Sequence, residues 1–240
     1  MENEEVFAIN IFINLIVGII VQRCRLLSKK GICASYVLGV VVFAMSPIGY
    51  AFLLCFFGIT AGVEHLIIRT EKNNFRTEGQ VICNSLPALW VLCLFYFLKQ
   101  EKYFFIYTCL LASSLADSTA SAIGNQYAKK IYSVFTLREM ERGISGGISA
   151  VGTIAGMLAA TIMGMIYVIC CPLHLFRESI INVAKIAMWG TVGMMIDSIL
   201  GISFQKKYRC LVCQKKLKLN SIVEKRRFRY INFSSLIIIP

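Results

Sequence analysis

The chain has 240 residues, 57% of them hydrophobic and only 16% charged, with a mean hydropathy of +0.68. Soluble domains carry about a quarter charged residues, so this composition excludes a soluble globular protein and describes one polytopic membrane domain. The net charge of +12 sits between apolar runs, where membrane proteins gather Lys and Arg in cytoplasmic loops. No nucleic-acid partner is expected from it.

The acidic start MENEEVFAIN lacks the basic region and cleavage site of a signal peptide. The first apolar run, 6–22, is therefore expected to be a retained span. Further spans are predicted at 31–46, 48–68, 79–98, 103–124, 146–171 and 183–204. The fold class is all-α: a polytopic helical membrane protein of about seven transmembrane helices. Pro47 closely follows the short second span, so spans two and three are either a re-entrant pair, leaving six possible spans, or two tilted helices. The membrane domain occupies 1–204. A basic tail, 205–240, ends in INFSSLIIIP; that run is too short to span and is expected to pack on the bundle or lie at the interface.

Charge placement orients the chain. Of the 25 Lys and Arg, 21 fall in the loops after odd-numbered spans or in the tail; only Lys99, Lys102, Arg177 and Lys185 fall on the other side. The positive-inside rule then puts the N-terminus outside and the C-terminus in the cytoplasm. In a prokaryote the membrane is the cell membrane.

Carboxylates inside spans are expensive and point to function. Asp117 lies in LLASSLADSTASAIG and Asp197 in WGTVGMMIDSILGISFQ. Asp117 is about 10 Å, and Asp197 about 12 Å, from the cytoplasmic end of its span at 1.5 Å per residue. Ser114, Asp117, Ser121 and Gly124 fall at helical spacing on one side of span five, and Gly190, Gly193, Asp197 and Gly201 on one side of span seven. Each Asp alone is equally well explained by a hydrogen bond to a neighbouring helix. Two at one depth, on small-residue faces, favour a shared Mg²⁺ site, since Mg²⁺ commonly takes one or two carboxylates plus substrate phosphate oxygens.

Arg76, Gln80 and Asn84, in FRTEGQVICNS, repeat every four residues where span four enters from the cytoplasm, on one helical face. RGISGGIS, at the start of span six, combines glycines that let backbone N–H groups converge on an anion with a helix N-terminus. Arg142 adds a full charge with bidentate geometry. The glycine-rich stretch continues as Gly152, Gly156, Ala160 and Gly164, a four-residue repeat expected to be a helix-packing stripe. Cys210 and Cys213 make half of a zinc ribbon with no second pair, Glu64 and His65 read as an interfacial pair, and no Walker A motif is present.

FRTEGQVICNS, LADSTASAIG, RGISGGISAVGTIAG, DSILGISFQKKYRC and INFSSL resemble, in order, motifs of the integral-membrane family of transmembrane protein 19 (domain of unknown function 92), which includes the plant phytyl-phosphate kinase. The resemblance runs from about Leu27 to Leu236. It implies transfer of a phosphoryl group from a nucleoside triphosphate, CTP in the plant case, to a prenyl monophosphate. The family's D-T-x-A-S-E-x-G pattern places its Asp on Asp117 and its Ser on Ser121, while its Glu is replaced by Ala122. Its glycine-rich pattern falls on Gly143, Ser145, Gly146, Gly147 and Ser149, and its second Asp on Asp197, with Gln205 after it. The implied cofactor is Mg²⁺; the implied partners are the nucleotide, an isoprenoid lipid phosphate and membrane lipids. A lipid-phosphate cytidylyltransferase, a transporter of an anion or lipid, and a non-catalytic membrane subunit are the alternatives. Polar groups gathered at one face, rather than at the midplane in broken helices, favour an enzyme over a transporter.

Overall fold

The structure, a computed structural model, describes residues 2–23, 27–64, 78–140, 146–171, 176–204, 207–210, 216–217 and 228–231. Among these, seven helices carry the fold: α1 Glu2–Arg23, α2 Lys29–Met45, α3 Pro47–Gly62, α4 Glu78–Leu98, α5 Glu101–Tyr127, α6 Ala150–Cys170 and α7 Phe176–Phe204. Four of them, α1, α4, α6 and α7, are long and apolar enough to cross a membrane. The 27 residues of α5 reach about 40 Å, but its second half is polar.

The third expected span is α3 to Gly62, followed by a π-helical turn at Val63 and Glu64; its last residues, 65–68, lie outside the described residues. At 17 and 16 residues, α2 and α3 reach only about 25 Å, less than the roughly 30 Å hydrocarbon core. Ser46 joins them as a one-residue turn. Its backbone N–H closes α2 on the Val42 carbonyl, and its hydroxyl accepts from the Gly49 N–H at 3.1 Å to open α3. Pro47 follows at the first helical position, where its missing N–H costs nothing.

The packing centre is the trio α5, α6 and α7. A Cβ added to Gly152 would lie 2.7 Å from the Ala120 carbonyl oxygen, and one on Gly156 would lie 2.9 Å from that of Ala116. The partner number falls as the α6 number rises, so α6 runs antiparallel to α5. Gly190 meets Ala112 and Ala160, and Gly193 meets Ser113; here both numbers rise, so α7 runs parallel to α5. These directions follow the alternation expected of consecutive spans. The stripe of Gly152, Gly156, Ala160 and Gly164 is the packing surface read from the sequence, with Gly164 seated on the Val183 backbone. Without a hydrophobic drive between helices in lipid, such close approach supplies the dispersion that holds them.

Around the trio, Phe52 of α3 stacks edge-on against Phe104 and Tyr167, and the Tyr107 hydroxyl donates to the Gly49 carbonyl at 2.7 Å. The outer surface is apolar: Trp90 is 71% exposed and Phe97 and Ile169 are each 77% exposed. A face of this kind suits acyl chains and not water.

Short strands depart from the all-helical expectation. β1 (Tyr132–Ser133) pairs with β2 (Gly147–Ile148) in the α5–α6 connection, and β3 (Lys207–Cys210) pairs with β4 (Lys216–Leu217) and β5 (Phe228–Ile231) in the tail. The final apolar run, 232–240, lies outside the described residues, as do His65 and Cys213.

A branched side chain at the centre of the stripe must push backbone apart. Gly156→Val is expected to lower thermal stability by about 1–3 kcal/mol. Gly58→Ala, whose added methyl meets nothing within 4 Å, is expected to leave it unchanged. Thermal unfolding of the purified protein in detergent measures both.

Candidate functional site

The parallel register of α5 and α7 fixes the carboxylates. Gly193 packs on Ser113, and one helical turn further along each helix stand Asp197 and Asp117. Residues four apart share a face, so both carboxylates sit on the α5–α7 seam at one level, about 6 Å beyond the Gly193–Ser113 contact at 1.5 Å per residue. Asp117 is half-buried and Asp197 is exposed, so the seam is accessible at this level.

The small-residue face expected on α5 divides between neighbours. Ser114 turns to α4, its hydroxyl donating to the Asn84 carbonyl at 3.4 Å. Gly124 turns to α6, where an added Cβ would come within 2.9 Å of the Ser149 hydroxyl. Ser121, one turn beyond Asp117, is exposed. Thus the start of α4, the ends of α5 and α7 and the start of α6 meet in one layer.

The glycine-rich turn is built into that layer. Gly146 has φ +83, a left-handed conformation that suits glycine. An added Cβ would overlap the Ile202 side chain and lie 2.9 Å from the Ser198 carbonyl. Its own carbonyl accepts from the Val134 N–H at 3.2 Å, and Gly147 pairs with Ser133 in the small ribbon. Ser149 is buried and caps α6, its hydroxyl accepting from the Gly152 N–H at 3.2 Å. Its side chain is therefore committed to the helix, and an anion here would meet backbone N–H groups. Arg76, Arg142, Gly143, Ser145 and Gln205 lie outside the described residues, and Gln80 is described only as part of α4.

Two carboxylates at one level, open on one side, fit Mg²⁺ when phosphate oxygens and water complete the shell. Among the described residues no group of three or more His, Cys, Asp or Glu gathers, so the set does not form an all-protein cage. Ala122, beside Ser121, adds no carboxylate.

Two features of this region escape sequence reasoning. Thr119, 4% exposed, holds its hydroxyl without a hydrogen-bond partner among the described residues. The other is a cleft of about 70 Å³ among α1–α4, partly open to the outside and lined in part by Asn84. Its one early signal is the pair Asn10 and Asn14, polar residues four apart in an apolar span.

The family described as integral membrane protein DUF92 matches residues 12–232. The chain belongs to this family. It is an integral membrane protein, and the resemblance read from the ordered motifs is to this same family. An uncharacterized membrane protein of Methanocaldococcus jannaschii is 26% identical over 211 residues, covering 83% of this chain and 83% of its own. An uncharacterized membrane protein of Synechocystis is 24% identical over 196 residues, covering 77% and 74%. The chloroplastic protein VTE6 of Arabidopsis thaliana is 26% identical over 196 residues, covering 75% of this chain but 57% of its own. No solved structure matches.

The seat of Gly146 yields a test. Gly146→Ala adds left-handed strain of about 1–3 kcal/mol and a clash with α7, so it is expected to lower the unfolding temperature. Adding Ile202→Ala is expected to recover part of the loss, because the Ser198 carbonyl and the φ angle remain. Full stability in the single variant would show that the turn does not seat on α7.

Proposed function

We propose that this chain is a membrane-embedded phosphotransferase. It takes a nucleoside triphosphate, with CTP favoured, and Mg²⁺, and converts a prenyl monophosphate to the diphosphate. The observation that carries this reading is the parallel α5–α7 register, which brings Asp117 and Asp197 to one level on an accessible seam. The ordered motifs support it, since they resemble a family that includes the plant phytyl-phosphate kinase.

Phosphoryl transfer asks a protein mainly for positioning and charge neutralisation. Asp117 and Asp197 would hold Mg²⁺, which would supply charge neutralisation for the phosphates. Ser121, exposed one turn beyond Asp117, offers its hydroxyl to a phosphate oxygen. Backbone N–H groups of Gly143, Ser145, Gly146, Gly147 and Ser149 receive phosphate oxygens at the start of α6, with Arg142 adding charge. Gln80 and Asn84, near the start of α4, and Arg76, just before it in the chain, would add polar and charged contacts to the phosphates. An ionised oxygen of the prenyl monophosphate attacks the terminal phosphorus; a new P–O bond forms, the bridging P–O bond breaks, and the nucleoside diphosphate leaves. Because the attacking oxygen is already ionised, no general base is required, which suits a site where Ala122 stands in place of a carboxylate.

Purified protein incubated with CTP or ATP, Mg²⁺ and prenyl monophosphates is expected to yield prenyl diphosphate and nucleoside diphosphate. Asp117→Asn and Asp197→Asn are each expected to cut turnover by at least about a hundredfold, with the unfolding temperature nearly unchanged. Release of pyrophosphate with a nucleotide–lipid product would instead make the protein a cytidylyltransferase. Near-wild-type turnover in either variant would remove that Asp from the metal site.

A further inference from the structure

A closed hairpin stands between α5 and α6. The Ser133 N–H donates to the Arg138 carbonyl, the Leu137 N–H to the Ser133 carbonyl and the Met140 N–H to the Ile131 carbonyl, each at 2.9 Å, and Tyr132 bridges to Glu139. Ile131, at the root, is buried. At the tip the pattern inverts: Phe135 is 54% exposed and Leu137 is 69% exposed. Leu137 also has φ +50, a left-handed backbone that is costly for a bulky residue and open to glycine. Turn chemistry alone favours glycine or asparagine at such a position. Leucine carries the strain and puts a large apolar side chain on the surface.

Around this tip the charge is positive. Between residues 128 and 140, Lys129, Lys130 and Arg138 stand against one acid, Glu139, and all four are exposed. Glu139 pairs with Lys130 at 3.6 Å. The hairpin also adjoins the apolar outer surface of the bundle. Ser133 pairs with Gly147 in the ribbon, and four residues past Gly147 the outer face of α6 begins at Val151 and continues at Ile154, both exposed. On its other side the hairpin follows Tyr127, the exposed last residue of α5, a residue type enriched where bilayer meets water.

We propose that the hairpin 131–140 is an interfacial anchor: Phe135 and Leu137 dip into the acyl chains beside α6, while Lys129 and Arg138 stay at the level of the lipid phosphates. A second protein fits this tip less well. A large side chain buries roughly 150–250 Å², so two of them offer about 400 Å² at most, half of the roughly 800 Å² per partner of a stable interface. A bilayer asks for no such area, because the spanning helices already hold the chain there, and cationic side chains beside an inserted apolar pair reach the headgroups. The N–H groups of Ser133, Val134 and Leu137 are satisfied inside the protein, which lowers the cost of taking them out of water. The Val134 N–H donates to the Gly146 carbonyl at 3.2 Å, so an anchored hairpin also holds the glycine-rich turn at a set height relative to the headgroups. Such anchoring requires no particular reaction at the site.

The test uses the full chain in nanodiscs of phosphatidylcholine and phosphatidylglycerol, doped with a phospholipid that carries a diazirine in its acyl chain. After photolysis, carbene adducts are mapped by mass spectrometry of the peptides. Phe135 and Leu137 are expected to be labelled to the same extent as Ile154 on the outer face of α6. A water-soluble diazirine, used in parallel, is expected to label Lys129 and Arg138 and to spare Phe135 and Leu137. Phe135→Asp combined with Leu137→Asp is expected to abolish the acyl-chain adducts of the hairpin and keep those of Ile154, with the unfolding temperature in detergent nearly unchanged because both side chains are exposed. Labelling of the wild-type tip by the aqueous probe alone would put it in water, and labelling by neither probe would put it under protein, a second copy of the chain included; either result overturns the anchor. Acyl-chain adducts that persist on the hairpin of the double variant would overturn it as well, since they would not depend on the two apolar side chains.

Discussion

Close contact between α5, α6 and α7 sets the register of the residues proposed for the site. Gly152 and Gly156 bring α6 against the α5 backbone, Gly190 and Gly193 bring α7 against Ala112 and Ser113, and little but small residues fits between. In lipid, where apolar side chains gain nothing by leaving their surroundings, this dispersion between backbones is the main force available. It also fixes register, because a shift by one residue would drive side chains into carbonyls. Asp117 and Asp197 inherit their common level from that register. The glycines of the stripe therefore act on the site without touching it.

The architecture also divides the labour between two media. The apolar exterior, with Trp90, Phe97 and Ile169 exposed, belongs to the bilayer. The layer where α4 and α6 begin and α5 and α7 end gathers carboxylates, hydroxyls and the glycine-rich turn.

Much of this was readable from the chain. Long apolar runs fixed the seven helices, because a buried backbone in lipid has few alternatives to helix. Counting residues from Asp117 and Asp197 to the ends of their spans gave the common depth, and the four-residue repeat after Ser149 gave the packing stripe. Other features depend on neighbours far away in sequence. The apolar run past Gly62 gave no sign that α3 would pass into a π-helical turn at Val63 and Glu64. Gly146 reads as a flexible anion loop, yet its left-handed φ and its contact with Ile202 and Ser198 make it a seat for the turn. Ser149 reads as a ligand, and its hydroxyl serves as a cap. Ser114 and Gly124, ten residues apart on one apparent face with Asp117 and Ser121, diverge to α4 and α6. The cleft needs four helices, so no local pattern announces it.

The central claim is that Asp117 and Asp197 face one another across the α5–α7 seam, and cross-linking tests it most directly. Asp117→Cys combined with Asp197→Cys, treated in native membranes with a short bifunctional thiol reagent and mapped by mass spectrometry of the peptides, is expected to join the two positions. Asp117→Cys combined with Ile199→Cys is expected not to link, since Ile199 lies on the opposite side of α7 by helical spacing. Linking of the second pair without the first would contradict the shared site.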